Sequence, residues 1–178
     1  MKNIIYAVGC LVLISCISKK EGEVEEKIVN QHELDSLKRV ECDSLLCEIK
    51  RIEADTFGPV NQIPRNFDEC LVTLDTLVNS HIQEWIKCLP DGEFSSFVHF
   101  GFGMYLRNNW GLWGNSVLYQ DLFKMGILHP DDMSSIILDS YQRKLKGEDI
   151  RLEEQLKYYQ DYWKESGVNV DSVLAISK

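Results

Sequence analysis

The chain has 178 residues, and its 19 basic and 28 acidic side chains give a formal net charge of −9 at pH 7. Binding to nucleic acid needs clustered Lys and Arg that neutralise phosphates, so this acidic balance, without a basic cluster, excludes a nucleic-acid partner. Hydrophobic residues form 44% of the chain and charged residues 26%, which predicts a folded globular domain and excludes wholesale disorder and a polytopic membrane protein.

The N-terminus has the pattern of an export signal. Lys2 precedes an apolar stretch over residues 4–14, which suits a signal-peptide core and is too short for a comfortable membrane span. Residues 13–16 are Leu-Ile-Ser-Cys and resemble the bacterial lipobox. The resemblance implies a signal peptide over 1–15, a diacylglyceryl group on Cys16 and a lipid anchor in a membrane of the bacterial cell envelope. The alternative is an ordinary cysteine behind a conventional cleavage site or an uncleaved anchor.

A polar region follows the lipobox. Residues 17–33 are dominated by Ser, Lys, Glu and Asn, a composition typical of a tether. Apolar residues then recur at helical spacing over 34–52, which predicts an amphipathic helix, either a stalk or a helix loosely docked on the domain. Gly58 and Pro59 end this region. We therefore assign 16–58 to the lipidated cysteine, the tether and the stalk helix.

Four cysteines lie beyond the signal region, in a compartment where export permits disulfides. Cys42 and Cys47 are five residues apart, so their side chains diverge by about 140° on a continuous helix and are poorly placed to bond there. A bond between Cys70 and Cys88 is more plausible if the two helices that carry them form a hairpin. The alternative is that these cysteines are free, buried thiols. Their spacing does not fit a zinc site.

Residues 59–167 carry dense helix signals and no convincing period-two alternation. They predict an all-α, single compact domain of five or six short helices, with 168–178 as a C-terminal tail. The predicted helices begin near Asn66, Ser80, Phe94, Asn115 or Ser116, Pro130 or Asp131, and Leu152.

Two segments carry the most distinctive residues of this domain. Residues 99–113 are rich in aromatic residues and Gly, and 129–133 have the sequence His-Pro-Asp-Asp-Met. With the flanking residues 64–67 and 152–163, they resemble an uncharacterised family of small bacterial helical domains over about 63–164. The resemblance supports one domain and its boundaries, and it implies no catalytic role because the family has no known function.

The first candidate site lies within 99–113. Each Gly in a helix costs about 1 kcal/mol relative to Ala, so Gly101 and Gly103 need a reason such as close helix packing. At 100° per residue, Gly103 shares a stripe with His99, Leu106 and Trp110. A small-residue notch beside a His is compatible with a ligand site. We favour the alternative of tight packing, with His99 in the core and Trp110 and Trp113 filling it.

The end of this helix supplies further candidates. Arg107 and Asn108 suit binding of an anionic group, or they satisfy the helix carbonyls and its dipole. The candidate binding residues are thus His99, Gly103, Arg107, Asn108 and Trp113.

Catalytic and metal motifs are weaker. His129, Asp131 and Asp132 superficially resemble metal ligands, but Pro130 with two acids in the first turn is typical of a helix start, and we favour capping. We find no nucleophile elbow, activated cysteine or phosphate loop, and we predict no cofactor and no metal.

These patterns favour a membrane-anchored, non-enzymatic binding module of the cell envelope. It presents a groove near His99, Arg107 and Trp113 to a protein or peptide partner. The alternatives are a small envelope hydrolase that uses His99 or His129 with Asp131 as an acid–base pair, or a purely structural envelope protein.

The lipobox generates a direct prediction. Cys16→Ser removes the thiol that carries the acyl chains, and each buried methylene contributes about 0.8 kcal/mol to membrane attachment. We expect an unlipidated protein that is lost from the membrane fraction, measured by detergent partitioning and by the mass of the processed chain. Unchanged partitioning and processing would rule out the lipobox interpretation.

Overall fold

The computed structural model of the chain describes residues 33–34, 36–44, 62–114 and 116–176. The predicted signal peptide, the anchor at Cys16 and the candidate disulfide cysteine Cys47 lie outside this part. The chain divides into two units, Met1–Ser44 and Leu45–Lys178.

In the first unit, residues 33–34 and 36–44 are helical, as the amphipathic spacing predicts. The apolar side chains of Leu34, Leu37 and Val40 on this helix are exposed.

The second unit is all-α, which confirms the predicted fold class. No β-strand occurs in residues 62–114 and 116–176. None of the described helices is both long enough and apolar enough to cross a membrane. The elements are α1 (Phe67–Leu77), α2 (Ser80–Cys88), α3 (Glu93–Phe97), a π-helical turn (His99–Gly103), α4 (Met104–Asn109), α5 (Val117–Lys124), α6 (Pro130–Lys146), α7 (Leu152–Glu165) and α8 (Val170–Ile176).

Side-chain caps fix where several helices begin. The side chains of Asn66 and Ser116 accept the backbone N–H three residues further on, at 2.9 and 3.0 Å, as the sequence predicts. Helix α2 differs slightly, because Asn79 and not Ser80 accepts the N–H of Ile82, at 2.9 Å. The amide oxygen of Asn79 therefore sets the start of α2.

The structure differs from the prediction at two places. The single helix expected from Phe94 to Asn109 is divided by the π-helical turn, in which the Gly103 N–H donates to Val98 O at 2.8 Å across five residues. Sequence periodicity at 100° per residue does not register such an insertion. The second difference is α8, which occupies most of the segment expected to be a tail.

Helix α6 is the centre of this unit and packs against α1, α2, α3, α4, the π-helical turn and α7. Its buried polar groups hold the ends of other helices. Tyr141 Oη donates to Leu74 O at 3.2 Å, and Gln142 Nε2 donates to Leu89 O at 2.9 Å and to Pro90 O at 3.0 Å. Such bonds offset the cost of burying polar atoms.

The state of the cysteines differs from the predicted disulfide pairing. Cys70 is a free thiol on the buried face of α1, where its Sγ donates to Asn66 O at 3.3 Å. Cys88 is disulfide-bonded, as is Cys42, so the predicted bond between Cys70 and Cys88 is wrong. For Cys70 the alternative of a free, buried thiol holds. Burial raises the pKa of its thiol, which keeps it protonated and unreactive.

Asp139 of α6 generates a prediction about pH. Burial raises the pKa of its carboxyl, although the Ser95 hydroxyl and the Arg143 guanidinium favour the charged form. The folded state therefore holds this proton more tightly than the unfolded state, and the wild type loses stability as the pH rises through the raised pKa. The Asn side chain of Asp139→Asn does not ionise, so the variant does not lose stability in this way as the pH rises. We expect the variant to gain free energy of unfolding, relative to the wild type, between about pH 3 and pH 7. Urea unfolding at about pH 3 and pH 7 measures the free energy of unfolding of both proteins. A difference between variant and wild type that is the same at both pH values would contradict the prediction.

Candidate binding site

A cavity of about 360 Å³ opens where the first turn of α6 meets α7. It combines polar groups of α6 with a run of aromatic side chains of α7. We call it the aromatic recess and define it by its lining residues: His129, Asp131, Asp132, Tyr158, Tyr159, Tyr162 and Trp163.

Helix α7 brings four aromatic rings to one place. Tyr158 with Tyr162, and Tyr159 with Trp163, are spaced four residues apart and so lie next to each other along the helix. Tyr158 and Tyr162 are 67% and 54% exposed, whereas Tyr159 is half-buried, and burial raises its pKa to about 12. The Tyr162 ring meets Trp163 edge-on at 5.5 Å. Four of the seven lining residues of the recess are thus aromatic residues of α7, and two of these are exposed.

The first turn of α6 supplies the polar wall. His129 is the N-cap residue and its Nδ1 accepts the Asp131 N–H at 3.2 Å, with Pro130 as the first helical residue. This confirms the predicted helix start. The carboxylates of Asp131 and Asp132 lie in the first turn, where the helix dipole favours negative charge. Capping therefore occupies one of the two imidazole nitrogens.

Asp132 is the carboxylate held between the two walls. Its Oδ2 accepts the indole N–H of Trp163 at 2.8 Å. Burial raises the pKa of the Asp132 carboxyl and the negative charge of Asp131 adds to this, while the Trp163 hydrogen bond and His129 act in the opposite direction. No described Lys or Arg forms an ion pair with Asp132.

Trp113 extends the aromatic surface beyond the recess. Its ring lies 6.4 Å from the His129 ring at 82°, and the Trp163 ring lies 6.2 Å from His129 on the α7 side. Trp113 is 56% exposed, and its indole N–H donates to Asn108 Oδ1 at 3.0 Å. The expectation that Trp113 fills the core is therefore wrong, and Trp110, which is fully buried, has that role.

Arg107 is buried behind the recess and is only 4% exposed. Its Nη1 donates to Ser134 Oγ at 2.9 Å and its Nη2 to His99 O at 3.1 Å. Its Nε lies 2.9 Å from Asp131 Oδ1, an ion pair without the alignment of a hydrogen bond. The guanidinium thus joins α4, the π-helical turn and α6, and it neutralises one carboxylate of the recess.

The structure separates the five predicted binding residues. Trp113 borders the recess and Asn108 holds its indole, whereas Arg107 lies beneath Asp131. His99 and Gly103 lie at the π-helical turn. Gly103 is buried, and His99 is half-buried with its ring 4.8 Å from that of Phe100.

Sequence analysis did not single out the α7 half of the recess. A signal was available there, because aromatic pairs four residues apart interrupt a helix that is otherwise highly charged. Among the residues that the structure describes, no group of three or more His, Cys, Asp or Glu side chains is arranged to hold a metal ion.

The architecture from α1 to α6, with its divided third helix, defines an all-α domain. A domain of unknown function, DUF6794, covers residues 63–145 of the chain, from just before α1 to near the end of α6. This match supports the predicted resemblance to an uncharacterised helical family, and it stops before α7. No curated protein and no solved structure matches the chain.

Gly103 generates a stability prediction. A Cβ there would lie 3.1 Å from Arg107 Nη1 and 3.3 Å from Val98 O, closer than ordinary contact. Gly103→Leu should therefore overpack the site and lower the free energy of unfolding by about 1–3 kcal/mol, despite the better helix propensity of Leu.

Gly101 provides the matched control in the same turn, because a Cβ there would meet nothing within 4 Å. Gly101→Leu should leave stability unchanged or raise it by no more than about 1 kcal/mol. Thermal and chemical unfolding of both variants measure the difference. Equal stability of the two variants would show that Gly103 is not needed for packing.

Proposed function

We propose that this chain is a lipoprotein of the bacterial cell envelope, anchored through Cys16, whose helical domain is a non-enzymatic binding module. The domain presents the aromatic recess and the neighbouring Trp113 to a protein or peptide partner. The anchor rests on the lipobox resemblance of residues 13–16 and on the short apolar segment before it.

The observation that carries the binding proposal is the exposure of aromatic rings around a cavity. Tyr158, Tyr162 and Trp113 are each more than half exposed, although this unit buries large side chains such as Trp110 and Phe94 completely or nearly so. Aromatic residues are enriched at the centres of protein interfaces, where they provide much of the binding energy. Exposed rings around a cavity therefore favour a binding role over a purely structural one.

The hydrolase alternative fits the geometry less well. In an acid–base pair, the carboxylate accepts a hydrogen bond from an imidazole N–H and so orients the ring. Here Nδ1 of His129 lies 3.6 Å from Asp131 Oδ2, which is too long for a hydrogen bond, and it accepts the Asp131 backbone N–H instead. The other oxygen of Asp131 faces Arg107. His129 is thus used as a cap, which favours binding over acid–base chemistry.

A peptide selection tests this proposal. The full chain is immobilised, and peptides that bind it are selected from a random displayed library. Tyr162→Ala removes an exposed ring of the recess, and Phe100→Ala removes an exposed ring of the π-helical turn, so each variant loses one exposed aromatic ring. We expect the selected peptides to bind the wild type and Phe100→Ala, and to lose roughly tenfold or more in affinity for Tyr162→Ala.

Two results of the same assay would contradict the proposed site. Peptides that lose affinity only for Phe100→Ala would move the site to the π-helical turn. A failure to select any peptide that distinguishes the wild type from Tyr162→Ala would contradict a peptide-binding recess.

A further inference from the structure

We infer that the aromatic recess recognises a cationic side chain, the ammonium of Lys or the guanidinium of Arg, on the partner. This inference rests on the proposed function and names the chemical group that the site accepts. It follows from three features of the recess: a carboxylate without a cationic partner among the described residues, aromatic side chains in the same cavity, and a volume suited to one side chain.

The charges of the recess leave one carboxylate without a cationic partner among the residues that the structure describes. Of the two acids, Asp131 is paired with the buried Arg107 at 2.9 Å, whereas Asp132 has only the neutral indole N–H of Trp163. The neighbouring imidazole of His129 caps α6, because its Nδ1 accepts the Asp131 backbone N–H. The recess therefore has a half-buried carboxylate that no described Lys or Arg neutralises, and a cation from a partner is favoured beside it.

Acidic residues alone do not define a site, and the aromatic rings are the independent feature. The face of an indole or phenol ring attracts a cation that lies within about 6 Å of its centre. Trp163, Tyr158, Tyr159 and Tyr162 all line the same cavity as Asp132. A cation next to Asp132 therefore shares one cavity with four aromatic rings of α7 and with the carboxylate that neutralises it.

The size of the recess and a comparison with neighbouring cavities restrict the kind of group that the recess can bind. About 360 Å³ is near the lower end of the range for small-ligand sites, so the recess holds a side chain and not a whole peptide. A second cavity of similar size, about 370 Å³, lies between α7 and α8 and has no aromatic side chain in its lining. A third cavity, of about 240 Å³, combines Tyr158 and Tyr159 with acidic residues but also has Arg143 and Arg151 in its lining. The recess differs from both cavities because it combines aromatic residues with a carboxylate and has no Lys or Arg in its lining.

Titration of the full chain in detergent with a lysine model compound tests the inference. Nα-acetyl-lysine methylamide is compared with Nα-acetyl-norleucine methylamide, which has the same aliphatic chain without the amine. The indole N–H signal of Trp163, observed by nuclear magnetic resonance, reports on binding because this group donates to Asp132. We expect a saturable shift with the lysine compound and none with the norleucine compound.

A matched pair of variants distinguishes the effect of the Asp132 charge on binding from the effect of the overall charge of the protein. Asp132→Asn keeps an oxygen that can accept the Trp163 N–H and removes the charge, so we expect roughly tenfold weaker binding of the lysine compound. Asp161→Asn removes the same charge from the surface of α7, where Asp161 is paired with Lys157 outside the recess. This control should bind within about twofold of the wild type.

Two outcomes would overturn the inference: equal shifts by the lysine and norleucine compounds, or equal weakening by Asp132→Asn and Asp161→Asn. The comparison of the lysine and norleucine compounds uses only the wild type, so it tests the inference even if Asp132→Asn does not fold. Selected library peptides that need Tyr162 but contain no Lys or Arg would likewise refute the inference and leave the proposed binding function intact.

Discussion

The burial of the Arg107 guanidinium is the constraint on which the arrangement of this domain depends. A charge removed from water must be paired and hydrogen-bonded, or it costs several kcal/mol. The bonds to His99 O and Ser134 Oγ and the ion pair with Asp131 meet this requirement. They are possible only if the π-helical turn brings the His99 carbonyl inward and Gly103 leaves room beside Nη1. One buried cation thereby fixes the turn, α4 and the first turn of α6 against each other.

The same interaction prepares the aromatic recess. Because Asp131 neutralises Arg107, it is held in place by the core and is not available as an independent charge at the surface. Asp132, one residue later on α6, points its carboxylate to the indole of Trp163 and keeps its charge for the recess. The recess is thus built on a rigid support, since α6 is anchored by buried side chains from Pro130 to Gln142.

The recess also joins two parts of the chain. Its polar wall belongs to the residues covered by the domain of unknown function, 63–145, whereas its aromatic wall belongs to α7, beyond them. Under the proposed function, α7 supplies the ring surface that contacts the partner, and the covered domain supplies the charge. Differences in α7 between related chains would therefore change ligand preference without disturbing the buried Arg107 network.

The sequence by itself determined the all-α fold, most helix boundaries and the start of α6, because caps, Pro and Gly act through bonds within a few residues. It also identified 99–113 and 129–133 as the distinctive segments. Only the tertiary structure decided that Arg107 is buried and Trp113 exposed, that Cys70 is a free thiol, and that α7 meets the first turn of α6. These outcomes depend on contacts between residues far apart in the chain, such as Trp163 with Asp132 and Arg107 with Ser134, which local periodicity does not encode.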